Sequence, residues 1–187
     1  MATDVDLSSQ AMLSIGAESI ESFQDGTTES EMAAKLYNDL RDYILSIYPW
    51  RFTVRKSTSL NKLIDAPENE FLFTYQLPNE LTVLLKVLPA HVKYELGENQ
   101  KLWTNYDGEI FVEYQYRPSE VRFPAYFNKM FVNYLASQFA IPITEDEGKA
   151  AYWQQQFELS FRRARLTDAK QRKGTGFKRF PITGVRG

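Results

Sequence analysis

Catalysis needs particular residue types at particular spacings, and this chain is poorly supplied with them. It contains no cysteine and a single histidine, His91. Thiol nucleophiles, thiolate zinc sites, iron–sulfur clusters and disulfide frameworks are therefore excluded from its 187 residues. A Ser/His/Asp triad would depend on His91 alone, and a two-histidine metal site cannot be built within one chain. His91 stands between Ala90 and Val92 and reads as a turn or strand-edge residue rather than a base. The acidic trio Glu145, Asp146 and Glu147 could hold a cation or act as a general acid. It follows Thr144 at capping-box spacing, however, and acids in a first helical turn complement the helix dipole, so the trio reads as a helix start.

Other candidates are weaker. Gly148-Lys149 lacks the upstream glycine and the following Ser or Thr of a phosphate loop, and Gly174-Thr175-Gly176 follows no strand. The chain's 24 acids could include a glycosidase pair, yet no spacing selects one. Trp50, Trp103 and Trp153 could stack on sugars or bases, but Trp beside proline or within an apolar face more commonly packs in a core. The expectation is a non-enzymatic protein with no catalytic residue, no cofactor and no metal.

Charge is the more informative chemistry. The formal net charge is −2, but its distribution is polar. Residues 1–50 carry −7, residues 51–159 carry −3, and residues 160–187 carry +8, with Asp168 the one acid in the last segment. A block of like charge will not pack without an opposite partner, so it reads as an interaction tail; the bland alternative is a solvated terminus. The residues expected to bind are Arg162, Arg163, Arg165, Lys170, Arg172, Lys173, Lys178 and Arg179, with Phe177 and Phe180 as apolar anchors between the charges. Nucleic acid would be met through phosphate, without sequence reading and with steep salt dependence. An acidic protein surface would favour the arginines, and interleaved phenylalanines suit a docked peptide.

Those residues must be positioned by a scaffold, and periodicity supplies one. Asp6 to Ser9 could cap a short helix ending at Gly16, and Thr28-Glu29-Ser30-Glu31 fits a capping box for a helix over about 28–48 that Pro49 closes. Short β-branched and aromatic runs then fill residues 51–118. The clearest expected pair joins residues 102–106 to 109–116 through Asp107-Gly108, a type I′ turn dipeptide. Helical spacing returns at Pro124, runs to Pro142, and resumes after Thr144-Glu145-Asp146-Glu147 with Ala150, Trp153, Phe157, Phe161 and Ala164 on one face. The expected class is α+β. Residues 1–50 and 119–168 would form a helical bundle, 51–118 an inserted antiparallel β-rich region, and 169–187 an extended basic tail.

Three runs carry a family resemblance: Leu13 to Ile20, Ser22 to Glu29, and Tyr48-Pro49-Trp50-Arg51-Phe52. Together with Phe123-Pro124 and a long last helix ending in alanine and arginine, they resemble phage head–tail connector adaptors, the tail tubular protein A family of short-tailed phages and relatives. The resemblance spans about residues 10–170. It implies a virion protein forming a homo-oligomeric ring, usually of twelve subunits, between the portal protein and the tail nozzle protein. DNA would pass through the lumen without sequence-specific contact, and the ring would support tail assembly and genome ejection. The C-terminal basic residues would dock on the portal or a neighbouring subunit, while residues 51–118 would meet neighbours and the nozzle.

The opposed −7 and +8 segments would also allow head-to-tail pairing in such a ring. Two alternatives stand beside this reading: a DNA-binding accessory protein acting through the basic tail, and a carbohydrate-active tail component. No apolar run approaches a membrane span, and the start lacks the basic and apolar regions of a signal peptide, so no membrane partner is expected. Assembly is expected in the host cytoplasm, with the finished protein in the tail or connector of the virion.

Overall fold

The computed structural model describes residues 2–64, 67 and 70–171. The fold is α+β, with helices α1 (Asp4–Ile15), α2 (Thr28–Ser46), α3 (Ala125–Thr144) and α4 (Glu147–Lys170) flanking seven strands. The strands are β1 (Val54–Lys56), β2 (Asn61–Leu63), β3 (Phe73–Gln76), β4 (Leu81–Leu88), β5 (Tyr94–Gly97), β6 (Lys101–Thr104) and β7 (Phe111–Tyr116).

The starts of α1, α2 and α4 are set by side-chain oxygens that satisfy orphan N–H groups, each close to the place the sequence suggests without coinciding with it; α3 starts directly behind Pro124 with no side-chain cap. Thr3, not Asp6 to Ser9, caps α1: its hydroxyl accepts the Asp6 N–H at 3.1 Å while the Asp6 carboxylate accepts the Thr3 N–H at 2.9 Å. In α2 the box moves one residue upstream to Thr27 and Ser30, which exchange the same pair of bonds at 3.2 and 3.1 Å. The expected Thr144–Glu147 box is absent. Thr144 belongs to the end of α3, Glu145 takes a left-handed φ of 51°, and Asp146 caps α4 by accepting the Lys149 N–H at 3.0 Å. Nor does Pro142 end α3; it sits inside the last turn, where the Thr144 hydroxyl donates to the Ala140 carbonyl. Gly16 does close α1, at a φ of 81°. Lys149 Nζ then donates to the exposed carbonyl of Ile15 at 2.9 Å, tying α4 to α1.

One apolar core joins all four helices, with Leu7 and Met12 of α1, Ile44 of α2, Phe127 and Phe131 of α3 and Phe157 of α4 among its members. Trp50 is fully buried in it. The residue packs edge-on against Tyr48, Phe127 and Phe161, and its indole N–H donates to the Ile44 carbonyl at 3.0 Å. Trp153 lies half-buried against the same core. Trp103 instead lies flat over Gly97 on the neighbouring strand, where any side chain would overlap its ring.

The β region has its own core around Tyr75, Leu102, Ile110 and Val112. Its strands form two antiparallel sheets, ordered β1-β7-β4 and β2-β3-β6-β5. The expected Asp107-Gly108 hairpin is therefore wrong, because β6 and β7 lie in different sheets. β6 sits between β3 and β5, with Tyr75 opposite Leu102, and β7 between β1 and β4, with Val54 opposite Gln115. β6 already forms a local hairpin with β5, and its other edge is taken by β3, while both edges of β7 are taken by β1 and β4, so no edge is left for a β6–β7 pair. The crossing segment is held by the Tyr75 hydroxyl, which points at the Tyr106 and Gly108 carbonyls from 3.1 and 3.0 Å. Ile110, just before β7, is fully buried in the core of the β region.

Gln115 fastens the β region to the bundle. Its side-chain amide nitrogen lies 3.2 Å from the Leu45 carbonyl, 3.0 Å from the Tyr48 carbonyl and 3.0 Å from the Thr53 hydroxyl. The two carbonyls flank the end of α2, where backbone acceptors have no helical partner. Replacing Gln115 with Leu leaves the Leu45 carbonyl buried without a donor, while the Tyr48 carbonyl keeps the Trp50 N–H at 2.8 Å, and is expected to cost about 1–3 kcal/mol, read as a lowered urea midpoint. An unchanged midpoint would show that the amide is not the fastening.

Candidate interaction surface

The last three turns of α4 place the described part of the basic block. The inner face turns Phe157, Phe161, Ala164 and Asp168 toward the bundle, so the residues between them point outward. Arg162, Arg163, Arg165 and Lys170 are all exposed, and no ion pair among the described residues engages them. Arg172, Lys173, Phe177, Lys178, Arg179 and Phe180 lie outside the described residues.

Asp168 alters the electrostatics of this end. The single acid of the block is fully buried, and its carboxylate accepts the Arg51 N–H at 3.0 and 3.2 Å and the Tyr126 hydroxyl at 2.8 Å. The Arg51 amide opens a short 3-10 turn, Arg51–Thr53, so the negative charge meets an unsatisfied helical donor. The outward surface therefore carries the arginines while the one acid among residues 160–187 is spent inside, with exposed Glu158 one turn before Arg162. Burial, and then the hydrogen bond to the Asp168 carboxylate, push the Tyr126 phenol well above its ordinary value.

Arg165 folds over aromatic rings, with its guanidinium carbon 5.1 Å from the Tyr48 centroid and 5.6 Å from that of Phe161. Tyr48, Arg162, Arg165, Leu166 and Ala169 line a cleft of about 340 Å³. Leu166 is 65% exposed beside it. The arrangement offers an apolar foothold ringed by cations, which suits a carboxylate-bearing surface better than a small-molecule reaction.

The acidic N-terminal segment is not one patch. Asp42 pairs with Arg41 at 3.2 Å and also with Arg117, and Arg41, only 8% exposed, reaches Glu120 at 2.8 Å. The Tyr37 hydroxyl approaches the same Glu120 oxygen at 3.4 Å. Burial and the Glu120 charge push the Tyr37 phenol far above its ordinary range. Asp25 accepts the Glu21 and Ser22 N–H groups and closes a turn. Glu18, Glu21, Glu31 and Asp39 remain exposed.

The other sequence candidates are placed elsewhere. His91 is an exposed turn residue edge-on to Tyr106 at 5.5 Å, and Asp146 is spent as a helix cap. No group of three or more His, Asp or Glu able to hold a metal occurs among the described residues. No helix of the described residues is long and apolar enough to cross a membrane. Sequence reasoning missed Tyr48 and Leu166, and it missed the inward role of Asp168, although a lone acid within a basic run was the available signal.

The sequence matches no protein-family model and no curated protein.

Two outcomes follow from the Asp168 anchor. Asp168→Ala strands two part-buried donors, the Arg51 N–H and the Tyr126 hydroxyl, and is expected to cost about 1–3 kcal/mol, and limited trypsin digestion should then cut at Arg162, Arg163 and Arg165 faster than in the parent. In alkaline titration, Tyr37 and Tyr126 hold their protons in the folded state above the ordinary tyrosine value of about 10, whereas the unfolded chain releases them. Stability is complete below that value and falls as pH rises above it. Phenolate absorbance should show two tyrosines ionising only with unfolding; their ionisation together with the rest would contradict the assignment.

Proposed function

We propose that the chain is a structural head–tail adaptor of a bacteriophage, one subunit of a ring between portal and tail nozzle that completes the DNA channel. The observation that carries this reading is the cationic end of α4: exposed Arg162, Arg163, Arg165 and Lys170 on a helix locked to the bundle by Asp168, leading directly into the remaining basic residues. The resemblance of residues 10–170 to tail tubular protein A adaptors supplies the partner, the portal, and the ring. The Tyr48-Pro49-Trp50-Arg51-Phe52 run that carries much of that resemblance is also the hinge point of bundle, β region and α4.

The energetics suit an assembly part. An exposed ion pair contributes only about 0–1 kcal/mol and is screened by salt, so one subunit would hold its partner weakly. A ring of subunits engaging a portal of matching symmetry multiplies those contacts by effective concentration, and docking becomes firm only when the ring is complete. Such a subunit needs shape, charge and rigidity.

Sedimentation with the portal protein of the same phage tests the reading. The full chain should co-sediment, release as salt is raised, and lose about tenfold or more in affinity when truncated after Gln171, a change of about 1.4 kcal/mol. Binding that ignores salt and truncation would overturn it. A truncation that instead abolishes salt-sensitive binding to DNA, with the portal unbound by either form, would favour the accessory DNA-binding reading.

A further inference from the structure

α4 has a second apolar face that the bundle does not use. Tyr152, Leu159 and Leu166 are 54%, 43% and 65% exposed and recur every seven residues along 24 residues of helix. Seven residues fall only about 20° short of two turns, so the three side chains form one nearly straight seam about 21 Å long. The seam lies opposite Trp153, Phe157, Phe161 and Ala164, which face the core. Scattered exposed leucines need no explanation, but three large apolar side chains along one line of a helix, one per heptad, offer a seam on which another helix can dock. Gln155 and Gln156 flank it in the middle, and Arg162 and Arg163 at its C-terminal half.

The chain carries an exposed apolar pair with an acid on the same side. On α2, Tyr43 and Ile47 are 54% and 40% exposed one turn apart, and Asp39 is exposed one turn before them. Tyr43 is already ordered, stacked on Tyr134 of α3 with ring centroids 6.0 Å apart. Thus α2 offers an aromatic and an aliphatic side chain beside an acid, while α4 offers an aliphatic seam beside two arginines.

We infer that the outer seam of α4 docks on the outer face of α2 in a second copy of this chain, with Leu159 and Leu166 against Tyr43 and Ile47, and Arg162 and Arg163 beside Asp39. The contact joins two different patches, so it can propagate from copy to copy as a closed ring requires. Its biological use rests on the adaptor reading, which it deepens by assigning Arg162 and Arg163 to the contact between subunits and leaving Arg165, Lys170 and the basic residues that follow in the sequence to the portal.

The absence of native cysteine permits a direct test on the full chain. Leu166→Cys and Ile47→Cys variants are mixed under mild oxidation, and each is also oxidised alone and with a Lys86→Cys control on β4. The mixed pair should give a covalent dimer well above either variant alone and above the control. Adding Arg162→Glu and Arg163→Glu should cut the yield by about fivefold to tenfold, and Asp39→Lys in the partner chain should restore most of it. Circular dichroism of each variant confirms that folding is retained. A mixed-pair yield equal to the control, or a loss on charge reversal that Asp39→Lys does not restore, overturns the inference. Specific cross-linking without portal binding would keep this contact and count against the adaptor reading; portal binding without cross-linking would do the reverse.

Discussion

The structure hangs on the seating of Trp50. One residue after the proline that follows α2, the chain drives an indole into the bundle core, satisfies its N–H on the Ile44 carbonyl, and surrounds it with Tyr48, Phe52, Phe127 and Phe161. Removing a buried Trp side chain costs about 3–5 kcal/mol in proteins whose whole stability is about 5–15 kcal/mol. Everything downstream depends on that anchor. The next amide, Arg51, is presented to Asp168, and three residues later β1 begins in register with β7. Gln115 of β7 then reaches back to the end of α2, so helix end, tryptophan and sheet form one closed loop of contacts.

This closed loop explains how the basic end of the molecule is displayed. The C-terminal turns of a helix usually fray, and four cations in the last nine residues of α4 would encourage it by mutual repulsion. Asp168 opposes this from inside, turning the one acid of the block into a tether on the Trp50 segment while its charge faces the Arg51 amide instead of the arginines. Arg165 lies over the Tyr48 ring beside that tether. The result is a cationic surface in a fixed orientation, and orientation is what a subunit repeated around an axis must supply. A flexible cationic tail would attract any anion, whereas a fixed one can match the spacing of a particular partner.

The class and helices were legible from periodicity alone, since a single helical face such as Trp153, Phe157, Phe161 and Ala164 repeats often enough to define itself. Caps were less legible, because Thr27 and Thr28 are chemically equal and only the register of the packed face selects between them. Strand pairing was illegible where it mattered. Asp107-Gly108 favours a hairpin locally, but Tyr75 and the paired edges of β3 and β1 lie more than thirty residues away along the chain and leave no local trace. Of the surface, the arginines were visible as charge. The burial of Asp168 and the outward seam of α4 were not, because both require knowing which side of the helix the core occupies.

On the adaptor proposal, the chain is a preformed subunit that contributes shape and fixed charge. Native mass spectrometry of the chain mixed with the portal protein that this proposal requires tests it most directly. The expected result is one discrete complex in which the added mass corresponds to a full symmetric ring of chains, usually twelve in the resembled family, with partial rings scarcely populated. A portal carrying a single chain, a continuous distribution of bound copies, or no bound chain at low salt would contradict it.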